Sequence, residues 1–158
     1  MKDKRGILLD IGCGQCKQEG FVGLDREKYN GVDIVHDLEV FPYPIEDEEC
    51  ITIVGSHIIE HIKPWLTIPL MNELWRILKF EGKLALSTPY PGSPGYWQDP
   101  THCNGCNEGT FQYFDPNFPL WQIYKPKPWN IVNGFPVWHQ NGNLEVVLKK
   151  VEEVPNGK

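Results

Sequence analysis

The sequence predicts an α/β fold: a doubly wound, mostly parallel sheet with few helices and an irregular cap rich in aromatic residues. Three observations carry this expectation. Short β-branched runs alternate with turn residues through the first half, as strands buried on both faces of a parallel sheet do. A single stretch in the middle repeats apolar residues at helical spacing. The first strand runs directly into Asp10 and a Gly-x-Gly turn, Leu9-Asp10-Ile11-Gly12-Cys13-Gly14, as a backbone does where it bends tightly against a ligand at a strand's carboxyl end.

Taken in order, strands are expected at 6–11, 21–25, 32–36, 50–55 and 83–88. The helix is expected over 64–79, where Leu66, Leu70, Met71, Leu74, Ile77 and Leu78 recur three or four residues apart and Glu73, Arg76 and Lys79 fall largely off that stripe. Pro64 suits a first turn and Gly82 an exit, while Pro69 removes a backbone donor, so a kink or restart is expected near Ile68. After Thr88 the composition changes: twelve of the nineteen aromatic residues and nine of the fourteen prolines lie between Pro89 and Trp138. Linkers lack such apolar surface, so this stretch reads as an ordered cap over the sheet. Ile131-Val132 and Leu144 to Val151 read as two antiparallel strands joined around Gly134 and Asn141-Gly142-Asn143, and Pro155 to Lys158 as a fraying end. Residues 1–158 thus form one domain, with a ligand-binding half at 1–88, a cap at 89–130 and C-terminal strands at 131–154.

With 158 residues, 41% hydrophobic and 23% charged, the chain has ordinary globular composition. No apolar run approaches the roughly 20 residues that cross a bilayer, and Ile7-Leu8-Leu9 stops at Asp10, short of a signal-peptide core of roughly 7 to 15, so a cytoplasmic protein without membrane contact is expected. The net charge of -6 disfavours nucleic acid as a partner; only a patch assembled from Lys125, Lys127, Lys149 and Lys150 would escape that argument.

The Gly-x-Gly turn lacks the third glycine of a dinucleotide fingerprint, since Lys17 stands in its place. Asp10 would repel a pyrophosphate, and the nine residues between Gly14 and Leu24 are too few for a helix whose N-terminus could receive one. The expected ligand therefore carries positive charge. S-adenosylmethionine fits, with its sulfonium and ammonium groups, two ribose hydroxyls and adenine edge. Asp25 closes the second strand, where a carboxylate can accept both ribose hydroxyls, and Asp37 closes the third, where it can take the adenine amino group while the Leu38 amide serves a ring nitrogen. Ser56 and His57 end the fourth strand, facing the methionine tail. The expected cofactor residues are thus Asp10, Gly12, Cys13, Gly14, Asp25, Asp37, Leu38, Ser56 and His57. Glu60 and His61 are expected to hold the loop after that strand.

At this point the chain resembles the class I S-adenosylmethionine-dependent methyltransferases. The resemblance rests on Leu9-Asp10-Ile11-Gly12-Cys13-Gly14, Val22-Gly23-Leu24-Asp25, His36-Asp37-Leu38-Glu39, Ser56-His57-Ile58-Ile59-Glu60-His61 and Glu73 to Lys83, which span roughly the first ninety residues. It is closest to small members with a shortened first crossover, a segment like Asp99-Pro100-Thr101-His102 and an aromatic run such as Thr110-Phe111-Gln112-Tyr113-Phe114. It implies a Rossmann-like sheet of seven strands with the last antiparallel. Cys16 departs from the small residue often found there, and the first crossover is too short for its usual helix.

Methyl transfer is an in-line displacement at an already activated carbon, so alignment and removal of one acceptor proton are what the protein must supply. His102 is the first candidate for base, oriented by Asp99, and His57 the second; His139 is expected to pack or face solvent. The density of Trp and Tyr in the cap points to a planar or sugar-like small-molecule acceptor docked between Tyr90 and Trp129. The same aromatics could stack the bases of a nucleotide or RNA, and a module that binds cofactor without turnover is a further alternative. Cys13-x-x-Cys16 and Cys103-x-x-Cys106 have the spacing of zinc knuckles, but five reduced thiols are the simpler reading, and no metal is expected.

Overall fold

In a computed structural model, the chain is described over residues 6–132, the backbone of 137–138, and residues 142–153. The expectations for Gly134, His139, Asn141 and the last residues lie outside the described part. The strands are β1 (Ile7–Ile11), β2 (Val22–Asp25), β3 (Ile34–Val35), β4 (Cys50–Ser56), β5 (Leu78–Pro89), β6 (Trp129–Ile131), β7 (Val137–Trp138) and β8 (Asn143–Lys150), in the order β3-β2-β1-β4-β5-β8-β6 with β7 paired to β8. β1 to β5 are mutually parallel, and β8 runs antiparallel to β5, β6 and β7. The seven-strand path with its last strand antiparallel is therefore present, and the two expected C-terminal strands are β6 and β8. The third strand is shorter than expected and begins at Ile34; just before it, the Asp33 amide donates to the Gly23 carbonyl at 2.9 Å while the Asp33 carboxylate accepts the Gly23 amide and the Lys17 ammonium.

Helix α1 (Thr67–Ile77) is preceded by a 3-10 turn at Pro64–Leu66. The restart expected near Ile68 falls at Thr67, which puts Pro69 in the first α-turn, where no backbone donor is needed. The helix ends two residues before Lys79. Leu78 turns extended and pairs with Cys50, and the excess chain is taken up at Glu81, with φ of +63°, and Gly82, where a Cβ would meet the Leu78 side chain at 2.7 Å. Gly82 thus serves a bulge in β5 and not the helix exit.

Strand alternation sends Leu9, Ile11, Ile53, Leu84, Leu86, Val146 and Leu148 to one face, where Leu70, Met71, Leu74 and Ile77 of α1 join them in one buried cluster. The opposite face presents Asp10, Val54, Ala85, Ser87 and Val147 along the wall of a shallow hollow of about 590 Å³. Phe111, Phe114 and Trp129 of the cap enter the same cluster as α1. The aromatic segment therefore builds core, while Trp97 is 74% exposed. For Phe111, Phe114 and Trp129 this corrects the expectation that the aromatics from Tyr90 to Trp129 line an acceptor pocket.

Lys150, only 2% exposed, donates to the Leu78 carbonyl at 2.7 Å and to Glu48 at 3.0 Å, with its ammonium 3.9 Å from the centre of the Trp75 ring. Lys127 pairs with Glu153 and Lys149 with Glu81. Three of the four lysines that could have formed a phosphate-binding patch are thus neutralised. Among the described residues no helix is long and apolar enough to cross a membrane.

Candidate functional site

The carboxyl ends of β1 to β4 meet at a cavity of about 480 Å³ bordered by Gly12, Asp25, Asp37, Leu38 and His57. Gly12 has φ of +65°, and a Cβ there would stand 2.6 Å from the Ile58 side chain, so both the turn and the loop beyond β4 require glycine. The Gly12 amide donates to the Leu24 carbonyl at 2.8 Å, tying the turn to the end of β2. Gly14 does not border the cavity; its amide donates to Asp25 Oδ2 at 2.9 Å, while the Glu27 amide donates to Asp25 Oδ1 at 2.9 Å. Both carboxylate oxygens of Asp25 are thereby oriented, each with a lone pair left for a ligand hydroxyl. Asp37 is set the same way by the Glu39 amide at 2.9 Å, and Leu38 is buried with its carbonyl accepting from the Tyr43 hydroxyl.

Asp10, Cys13 and Ser56 line the neighbouring hollow, which shares Gly12 with the first cavity. The Asp10 carboxylate accepts the Gln18 amide at 2.9 Å, which closes the short loop that replaces a first-crossover helix. Burial pushes the Asp10 carboxyl up, and it pushes the Cys13 thiol up with the Asp10 and Asp25 charges adding to the effect. A cationic group placed against Asp10 would relieve its desolvation; an anion would compound it.

A third cavity, of about 390 Å³, continues past His57 and His61 toward Ser93, Gln98, Asp99 and His102. His57, at φ of +54°, donates its amide to the Ser87 carbonyl at 2.8 Å and borders both this cavity and the first one. A non-glycine residue held there is strained, as residues at working sites often are. The His102 ring is only 7% exposed and donates Nδ1–H to the Tyr96 carbonyl at 2.7 Å. Asp99 does not orient it. The nearest carboxylate oxygen is 3.7 Å from Nε2, too far for a hydrogen bond, and Asp99 Oδ1 instead accepts the Thr101 amide and hydroxyl at 2.8 and 2.7 Å. The Asx turn that Asp-Pro-Thr favours has taken the carboxylate.

The feature missed in the sequence is Glu60, fully buried beneath these histidines. Its Oε2 accepts from the Thr88 hydroxyl at 3.1 Å, and its Oε1 has no hydrogen-bond partner, since His57 Nδ1, 3.3 Å away, is misaligned. The signal was the His57-x-x-Glu60-His61 spacing, which one 3-10 turn (Ile59–His61) folds onto a single site. The two C-x-x-C pairs do not meet: all five thiols are free, Cys106 sits in the core with its thiol pushed up to about 12 by burial and by the Glu60 charge, and they form no cluster of ligating groups among the described residues.

A parallel sheet in this strand order, with an antiparallel strand inserted at its far edge and a glycine turn facing paired acids, defines a Rossmann-like fold. No family model and no curated protein sequence matches the chain. Solved structures do. A SAM-dependent methyltransferase from Archaeoglobus fulgidus aligns over 93% of this chain and 87% of its own with 17% identity and a TM-score of 0.66. A putative S-adenosylmethionine-dependent methyltransferase from Listeria monocytogenes aligns over 94% and 92% with 14% identity and a TM-score of 0.56. The geranyl diphosphate C-methyltransferase of Streptomyces coelicolor A3(2), solved with Mg2+, geranyl diphosphate and S-adenosyl-L-homocysteine, aligns over 95% and 74% with 13% identity and a TM-score of 0.59. The chain has the fold of the class I S-adenosylmethionine-dependent methyltransferases.

Proposed function

We propose that this protein is an S-adenosylmethionine-dependent methyltransferase acting on a polar small-molecule or sugar-like acceptor. The observation that carries the reading is the pair of carboxylates, Asp25 and Asp37, pre-set by backbone amides around a cavity at the carboxyl edge of a methyltransferase-type sheet. The residues present fit the cofactor: Asp25 suits the ribose hydroxyls, Asp37 and the Leu38 backbone the adenine edge, and Asp10 and Ser56 the cationic methionine end. Gly12 leaves room that any Cβ would fill. When bound, the cofactor supplies a methyl carbon activated by a neighbouring sulfonium.

The protein's part is alignment and proton removal. The polar cavity beyond His57 receives the acceptor. The proton that the acceptor would lose on gaining the methyl group would be taken up by an imidazole of this chain. Two imidazoles are poised for it. His102 keeps an Nε2 lone pair because Nδ1–H is committed to the Tyr96 carbonyl, whereas the His57 Nε2 lone pair accepts from the Asn143 amide at 3.3 Å, a long contact that an acceptor hydroxyl would displace. Asp99 fixes the loop through Thr101 and lines the same cavity. The polar lining and the neutralised lysines favour a polar small molecule over RNA.

The test is thermal unfolding with S-adenosylhomocysteine, S-adenosylmethionine and NAD. A ligand at about 100 times its dissociation constant adds roughly 2.7 kcal/mol. A rise with the two adenosyl sulfur ligands and none with NAD is expected; no rise in a folded sample at saturating ligand would overturn the reading.

A further inference from the structure

Beneath the acceptor cavity, one carboxylate oxygen of Glu60 and one ring nitrogen each of His61 and His102 lie within 4.8 Å of one another. What these groups can offer follows from their other bonds. The Thr101 hydroxyl gives its single hydrogen to Asp99, so at 3.0 Å from His61 Nδ1 it must accept, and the ring carries its proton there. His102 Nδ1 faces the Tyr96 carbonyl, which only accepts, so this ring too is protonated on Nδ1. Each imidazole is left with a bare lone pair on Nε2, its tautomer and orientation set by a neighbour, as in metal-ligating histidines. Glu60 Oε1 is fully buried without a hydrogen-bond partner, and Asp99 Oδ2 adds a further acceptor 3.7 Å from His102 Nε2.

A buried carboxylate oxygen left without a hydrogen bond is costly, and the nearby His57 Nδ1, misaligned at 3.3 Å, does not relieve it. One proton can bridge two of these groups and leaves the third unmet; a divalent cation meets all three. We infer that Glu60, His61 and His102 hold a divalent transition metal of the zinc type, with an open coordination position toward the acceptor cavity. Two imidazoles and a carboxylate are a borderline ligand set that favours zinc, cobalt or iron(II) over magnesium or calcium, and three protein ligands with an open position are the arrangement of catalytic sites. Resting on the methyltransferase reading, the role of the site follows: an acceptor hydroxyl entering the open position loses its proton more readily. His102 then acts as ligand, and the proton passes to His57.

The experiment uses chelator-treated full-length protein titrated with Co(II), followed by visible absorption, and with Zn(II) and Mg(II), followed by calorimetry. One equivalent of Co(II) with visible ligand-field bands, displaced by Zn(II) and unaffected by Mg(II), is expected. Glu60→Gln, His61→Gln and His102→Gln should each weaken binding by about 100-fold or more, a loss at least as large as removing an outer-shell partner causes. Cys16→Ser with Cys103→Ser should leave it unchanged. His61→Gln, at a partly exposed position, keeps the test open if the buried Glu60 variant fails to fold. Absence of bands in folded protein at large molar excess overturns the site, as does binding lost in the cysteine variant and kept in Glu60→Gln. S-adenosylhomocysteine affinity, measured with and without chelator, separates failure of this site from failure of the cofactor reading.

Discussion

Asp25→Ala isolates the claim that the first cavity holds a ribose. The carboxylate is partly exposed, and its two protein contacts are the backbone amides of Gly14 and Glu27, which water can satisfy once the side chain is gone. Its removal should therefore cost little fold stability and much ligand affinity. A hydrogen bond to a charged group contributes about 1.5–3 kcal/mol, so loss of two ribose contacts removes about 3 kcal/mol at the low end. That corresponds to a loss of roughly 150-fold in affinity for S-adenosylhomocysteine. Titration calorimetry of the wild type, Asp25→Ala and His102→Ala reads it directly, with thermal unfolding of each ligand-free protein as the control for folding. His102, in the acceptor cavity, should change affinity by less than about threefold, because sites without shared contacts are nearly independent. Comparable losses in the two variants would refute the division between cofactor and acceptor cavities.

Gly12→Ala forces a side chain to φ of +65° and a Cβ to within 2.6 Å of Ile58; backbone strain of about 1–2 kcal/mol plus overpacking of about 1–3 kcal/mol should lower the melting temperature by several degrees and abolish S-adenosylhomocysteine binding, and an unchanged melting temperature would count against the geometry. Lys150→Met removes the buried ammonium from Glu48, the Leu78 carbonyl and the Trp75 ring, and urea unfolding should show a loss of about 1–3 kcal/mol. For Glu73, burial raises the carboxyl pKa, but the Arg76 hydrogen bonds, the Tyr43 amide and the Arg76 charge together outweigh it and hold the group below its ordinary 4.5. A depressed carboxylate stabilises the fold above its unfolded pKa and loses that contribution as pH falls through the folded one. The melting temperatures of wild type and Glu73→Gln should therefore converge as pH drops below about 4.5, and a constant difference through that range would refute the ion pair's contribution.

The parallel sheet was legible because its β-branched runs close in polar or turn-forming residues: Asp10 to Gly12, Asp25, Asp37, and Ser56 with His57. The ligand-facing acids followed from the same punctuation, since a strand's carboxyl end is where a parallel sheet exposes side chains to a crevice. The cap was not legible in detail. Phe111, Phe114 and Trp129 announce burial but not which surface they cover, and three-dimensional packing sent them to the core beside α1. Asp99 misled because a carboxylate next to Pro-Thr bonds its own turn before it can reach His102, three residues on. Glu60 was read as a loop holder because nothing local says that a charged residue will be fully buried; that depends on Thr88, Cys103 and Asn104, which reach it from β5 and the cap.

His57 stands at the wall common to the cofactor-side and acceptor-side cavities. Its ring is half exposed, with Nε2 accepting from the Asn143 amide at 3.3 Å and Nδ1 3.3 Å from Glu60. An occupant of either cavity that re-aims the ring gives up the Asn143 contact, at a cost on the order of 1 kcal/mol, and the second occupant finds that cost already met. On the proposed function, cofactor and acceptor would thereby be coupled by about fivefold in affinity with no change of backbone, and linkage requires that each tighten the other by the same factor whichever binds first.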